Sequence, residues 1–199
     1  MRHPPRQTHS ARAGNRRKHA RGRSLWRAWL ADRAPILLFC GKFFGLLILF
    51  YFLFYLPVCR RALDTSTLYY ARFASAILGR LGEGVHCAGA TISSPAFSMT
   101  VLPSCSAFEF PLFFAALVIA FPSPIRPKII GILAGAGFFL ILNLVRITSL
   151  FLIGVHLPKA FTLAHERFWG TILICAIVAL SFFWIKWAAP YPQNDPAAA

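Results

Sequence analysis

Acidic residues are scarce in this chain: six Asp and Glu stand against 21 Lys and Arg in 199 residues, for a formal net charge of +15. Almost half of the cations precede residue 34, so the basicity is mostly a tail. That opening stretch, "MRHPPRQTHSARAGNRRKHARGRS", has no acid and almost no apolar residue. It cannot bury enough surface to fold, and residues 1–33 are expected to form a disordered basic cytoplasmic tail. A run such as Arg16, Arg17 and Lys18 is a possible nucleic-acid contact. Beside a membrane span, its expected role is to hold the N-terminus in the cytoplasm and touch anionic lipid, so no nucleic-acid partner is expected.

Other signatures are missing too. Cys40, Cys59, Cys87, Cys105 and Cys175 show no CxxC or Cys/His zinc spacing, which argues against a metal site. The chain has no GxGxxG, P-loop, HExxH or GxSxG motif, and no cofactor is expected. The first apolar run is long, has a polybasic lead and is followed by no A-x-A-like site, so it reads as a retained anchor and not as a cleaved signal.

What is present is apolar. The chain is 57% hydrophobic with 20 phenylalanines, far above a soluble domain, which implies an integral membrane protein. A hydrocarbon core of about 30 Å needs about 20 apolar residues per helix. Four stretches are expected to qualify: from about Pro35 to Leu56, Cys105 to Phe121, Ile129 to Ile153 and Phe168 to Ala188. The expected fold is an all-α membrane protein of about four transmembrane helices with a small external interfacial segment, followed by a C-terminal tail at 190–199.

With the basic tail inside, the second helix runs inward, the "PSPIRPK" turn with Arg126 and Lys128 lies inside, the third helix runs outward and the fourth returns. Arg60, Arg61, Arg72 and Arg80, on the outer segment, go against this pattern. Within that segment, Leu68, Tyr69, Arg72, Phe73, Ala76, Ile77 and Arg80 fall at helical spacing and predict an amphipathic interfacial helix. The stretch "GVHCAGATISSPAFSMTVLPS" predicts short strands or a hairpin, and the whole piece is expected to cap the outer face.

Ionisable side chains in spans are functional candidates by default. Cys105 is expected to open the second helix, with Glu109 four residues later on the same face. Asn143 and Arg146 are expected to share a face of the third helix. Forty-one positions separate Cys105 from Arg146, about one span in and one span out, so both return to the same depth. His165 and Glu166 precede the fourth span on the same side.

A thiol, a guanidinium and an imidazole together make a cysteine nucleophile's kit: the thiolate attacks, histidine moves the proton, and arginine steadies thiolate or oxyanion. A helix N-terminus would lower the Cys105 thiol pKa. Glu109 is expected to pair with Arg146 and orient it, and Glu166 to help orient a partner. Blander readings exist for each: a structural disulfide for Cys105, snorkelling for Arg146, a helix cap for His165. Cys40 and Cys175 read as small packed residues, a disulfide is open to Cys59 or Cys87, and His86 and His156 show no partner pattern.

The segments "CSAFEF", "LNLVRITSLF" and "FTLAHERFWG" resemble, in order and spacing, the exosortase/archaeosortase family of membrane sorting enzymes, and within it most the small branch called exosortase H. The likeness is good over about 95–175 and general over the first helix. One departure is Ala107, where the family commonly has glycine two residues after the cysteine. The resemblance implies an exosortase-like domain over 34–189, with Cys105 as nucleophile, Arg146 as essential arginine and His165 as third member. It further implies a cysteine protease or transpeptidase of the bacterial inner membrane with its site facing the periplasm. Its substrates would be precursors ending in a short motif, a transmembrane helix and a basic cluster, which it cuts and passes to a surface acceptor. A non-catalytic membrane subunit of an exopolysaccharide assembly or export complex, with the same residues as interhelical glue, is the alternative. A small transporter fits less well, because there is no internal repeat and the site lies off the midplane.

Overall fold

The computed structural model describes residues 32–189 except Ser106. The expectations for 1–31 and 190–199 lie outside the described residues. The chain divides into two compact units, Met1–Lys42 and Phe43–Ala199, and the second carries all the β structure and every helix after residue 54 among the described residues.

Three helices are long and apolar enough to cross a membrane: α1 (Asp32–Phe54), α4 (Ile125–His156) and the continuous helical stretch Pro158–Ala188. That last stretch is a 3-10 turn (Pro158–Ala160), a short helix α5 (Phe161–Leu163), a π turn (Ala164–Phe168) and α6 (Trp169–Ala188). The protein is a mostly helical integral membrane protein, and its many exposed Ile, Leu and Phe side chains suit contact with lipid.

The second expected span differs. Helix α3 is Glu109–Ala120, only 12 residues, or about 18 Å at 1.5 Å per residue. It is too short to cross the hydrocarbon alone. Its start is fixed by Pro111, which is harmless in a first turn but would lose a hydrogen bond and clash if the helix began at Cys105.

Helices α3, α4 and α6 pack through Phe114, Val118, Phe139, Ile177 and Trp184. Close approach depends on Gly131 and Gly135 of α4, where a Cβ would overlap the Trp184 and Phe114 rings. The same end is tied by Trp184 Nε1 donating to the Pro127 carbonyl at 3.1 Å and Lys128 Nζ to the Ile119 carbonyl at 2.9 Å. The lysine thereby satisfies a carbonyl at the α3 C-terminus.

At the other end of α4 lies the expected cap. Helix α2 (Pro57–Arg80) leads into a three-stranded antiparallel meander, β1 (His86–Ala88), β2 (Thr91–Ser93) and β3 (Ser98–Thr100). Tyr70, Ala71, Ala74 and Leu78 of α2 are buried with Ile92, Val101, Ile147 and Phe151. The stripe read from the sequence, Leu68, Tyr69, Arg72, Phe73, Ala76, Ile77 and Arg80, is exposed apart from the half-buried Ile77, and the core side is the other one. In a membrane protein an apolar stripe can mark the lipid side as readily as the core.

Cys59 and Cys87 are free thiols, and Cys175 is exposed on α6 and not packed. His156 has a partner after all: its Nε2 lies 2.7 Å from Glu83 Oε1, joining the end of α4 to the α2–β1 turn.

Candidate active site

Strand β3 delivers the cysteine. The chain continues from β3 with the Val101 amide donating to the Ala90 carbonyl at 2.9 Å, then tightens into a 3-10 turn, Pro103–Cys105, closed by the Cys105 amide and the Leu102 carbonyl at 2.8 Å. Val101 is buried in the cap core, so the strand anchors the turn. Cys105 therefore precedes α3 and does not open it. The expected placement of its thiol at the α3 N-terminus is corrected accordingly.

Ala107, between the turn and the helix, has φ of 51°. An L residue reaches this left-handed region only at some cost, whereas glycine adopts it freely. The position where the resembled family carries glycine is thus one that turns the backbone. The same turn breaks the i, i+4 relation between Cys105 and Glu109.

Arg146 comes from α4, which runs ten residues, about 15 Å, beyond it to His156. His165 comes from the π turn, where the buried stripe steps by five from Ala164 to Trp169 before resuming spacings of three and four through Leu173, Ile177, Ser181 and Trp184. Insertions of this kind occur often at functional sites.

Cys105, Arg146 and His165 line one cavity of about 220 Å³, walled by Met99, Ile147, Leu150 and Phe161. Cys105 Sγ stands 3.9 Å from His165 Nε2. The Arg146 guanidinium is close enough to the sulfur to interact with it electrostatically. All three are half-buried, which strengthens such interactions relative to open water. The separation is long even for a hydrogen bond to sulfur.

The supporting residues fall elsewhere. Glu109 is exposed and lines a separate apolar groove of about 780 Å³ with Arg60, Tyr55 and Phe113. Among the described residues no ion pair joins it to Arg146, so the expected orienting role is corrected: Pro111 and Ala107 set it on another face. Glu166 is exposed on the π turn. Asn143 is fully buried and hydrogen-bonds the Tyr70 hydroxyl, linking α4 to α2 behind the cavity. Burial holds the Tyr70 phenol above its ordinary pKa, and the Asn143 hydrogen bond partly opposes this.

Two contributors were not singled out by the sequence. Tyr70 had no signal, because which face of α2 is buried is decided by packing. Phe161 had one: it precedes His165 by four positions on a helical stretch, and its ring stacks on the imidazole at 5.9 Å and 15°.

No curated protein and no solved structure matches this chain. The family model described as transmembrane exosortase (Exosortase_EpsH) matches residues 33–190, which takes in α1, the cap, the cysteine turn and every later helix. With the match covering most of its length, this chain belongs to the transmembrane exosortase family.

Proposed function

We propose that the protein is a membrane cysteine transpeptidase or protease that removes the C-terminal sorting signal of membrane-anchored precursors and passes the new C-terminus to an acceptor. The observation that carries this reading is the convergence of Cys105, Arg146 and His165, from three separate elements, on one small cavity with sulfur and imidazole 3.9 Å apart.

The chemistry follows from the groups. The Cys105 thiolate attacks the scissile carbonyl carbon while Arg146 balances the charge that develops on its oxygen. Imidazolium at His165 protonates the leaving amine as the C–N bond breaks, leaving a thioester on Cys105. An incoming amine, hydroxyl or water then gives its proton to His165 Nε2, attacks the thioester and expels the thiolate. The precursor's own helix in the lipid would set the register of the cut.

The lipid-water boundary also bears on the reading. Arg126 and Lys128 at the start of α4 and Lys186 and Trp187 at the end of α6 gather at the helix ends remote from the site, as the positive-inside pattern assigns to a cytoplasmic face. The site would then open to the outside of a bacterial inner membrane.

The test is co-expression with a precursor ending in a short motif, one apolar span and several arginines from the same genome. Cys105→Ala, Arg146→Ala and His165→Ala are each expected to abolish conversion of the precursor at unchanged enzyme level. Normal conversion by Cys105→Ala would end the proposal.

A further inference from the structure

A general base needs its ring held in place. The χ2 torsion of histidine is broad, so an imidazole without a partner sweeps a range of planes. In nucleophile-base pairs a third group usually fixes it. Among the described residues lining this cavity none is acidic, the charged or titratable ones being Cys105, Arg146 and His165 themselves. Glu166, next to His165, is exposed.

An apolar ring lies against the imidazole face instead. Phe161 lies nearly parallel to His165, with centroids 5.9 Å apart and planes 15° apart, and it forms part of the wall of the cavity that Cys105 and His165 share. Phe161 is itself held. Phe97, from the β2–β3 turn, sits tilted against it at 5.3 Å and edge-on to Phe151 of α4 at 5.6 Å. Phe97 in turn rests on Gly154, where any Cβ would overlap its ring. A continuous series of ring contacts thus runs from α4 through the cap to the imidazole.

We infer that Phe161 is a positioning residue for the reaction, its face fixing the His165 ring plane so that Nε2 points at Cys105 and favouring the protonated ring beside the thiolate. This rests on the reading of Cys105 and His165 as the reacting pair. Two physical effects act together. Stacking restricts χ2, and a cation within about 6 Å of an aromatic face is attracted by the ring quadrupole. The cap therefore reaches the chemistry through packed rings alone, which gives the β-meander a part in the site beyond carrying Cys105.

The experiment uses the full chain in detergent micelles with Cys40, Cys59, Cys87 and Cys175 changed to Ser. The rate of Cys105 alkylation by iodoacetamide is followed from about pH 5.5 to 9.5, across the ordinary thiol value near 8.5. The parent is expected to label well below that value, and His165→Ala to return the profile to it. Phe161→Leu is expected to slow labelling about tenfold at about pH 6.5, equivalent to about one pH unit. Phe161→Tyr, which restores a flat ring, is expected to stay within about twofold of the parent.

An unchanged profile in Phe161→Leu, with His165→Ala shifted, overturns the inference and leaves the paired reading standing. An unchanged profile in His165→Ala removes the paired reading and the inference with it. Should Phe161→Leu not fold, Phe161→Met keeps the volume without the face. Failure of both to fold makes Phe161 a packing residue and overturns the inference.

Discussion

Asn143 and Arg146 stand one turn apart on the same side of α4: Asn143 is fully buried against Tyr70 of α2, while Arg146 lines the cavity with Cys105. One turn of helix thus serves both the joint between α4 and the cap and the candidate site beside it. Tyr70→Phe is expected to destabilise the protein by about 1 kcal/mol through the lost hydrogen bond, read as a lower midpoint in detergent thermal unfolding. Asn143→Leu, which leaves the buried Tyr70 hydroxyl without this partner, is expected to cost more, about 1–3 kcal/mol.

The same pair gives a pH dependence with a definite sign. Because burial raises the Tyr70 pKa in the folded state, the unfolded chain loses that proton first as pH rises. The contribution is fully present below the ordinary tyrosine value near 10 and is lost as pH climbs through the raised one. Unfolding midpoints measured from neutral to strongly alkaline pH are expected to fall more steeply for the parent than for Tyr70→Phe.

Glu109 faces the groove and not the cavity, so Glu109→Gln is expected to convert precursor within about twofold of the parent. Arg146→Lys keeps a charge but loses the planar fork, and a lost oxyanion donor is worth about 10²–10³ in rate. Pulse-chase conversion of a tagged precursor compares the two. A collapse of activity in Glu109→Gln would restore the ion-pair role that the structure removes.

At Ala107 the positive φ predicts opposite effects for two small changes. Ala107→Gly is expected to be neutral or stabilising by up to about 1 kcal/mol with conversion retained. Ala107→Val places a β-branched residue in the left-handed region and is expected to destabilise the turn and sharply reduce conversion. Thermal unfolding and precursor conversion on both variants check this.

Gly135 packs its bare Cα against the Phe114 ring. Gly135→Val is expected to push α3 away from α4 at a cost of about 1–3 kcal/mol or more. Loss of folded protein in a detergent size-exclusion assay is the readout, with Gly137→Val as the tolerated control, since nothing lies near a Cβ there.

Much of this site was legible in the sequence because depth in a membrane is a one-dimensional quantity. Apolar run length alone brings Cys105, Arg146 and His165 to one level. Face is another matter. Extending α3 back to Cys105 misplaces Glu109, although Pro111 forbids that extension and is itself a start signal. The buried face of α2 had no such signal, since both of its sides carry apolar residues and only the partner decides which is core. The β-meander was readable from its Gly, Pro and β-branched content, but its stacking of Phe97 on Gly154 required knowing that the turn lands on α4.

The shortness of α3 bears on the surrounding lipid. A helix of about 18 Å beside spans of 32 and 31 residues creates a hydrophobic mismatch. The 3-10 turn Pro103–Cys105 precedes it, and non-α backbone persists at membrane depth only where it is buried in protein or lines a cavity. A thinner hydrocarbon layer is therefore expected beside α3, and with it a dependence of precursor conversion on acyl-chain length. Reconstitution in bilayers of graded thickness is expected to show an optimum on the thin side, whereas activity flat across thickness would mean that the segment is sheltered wholly by protein.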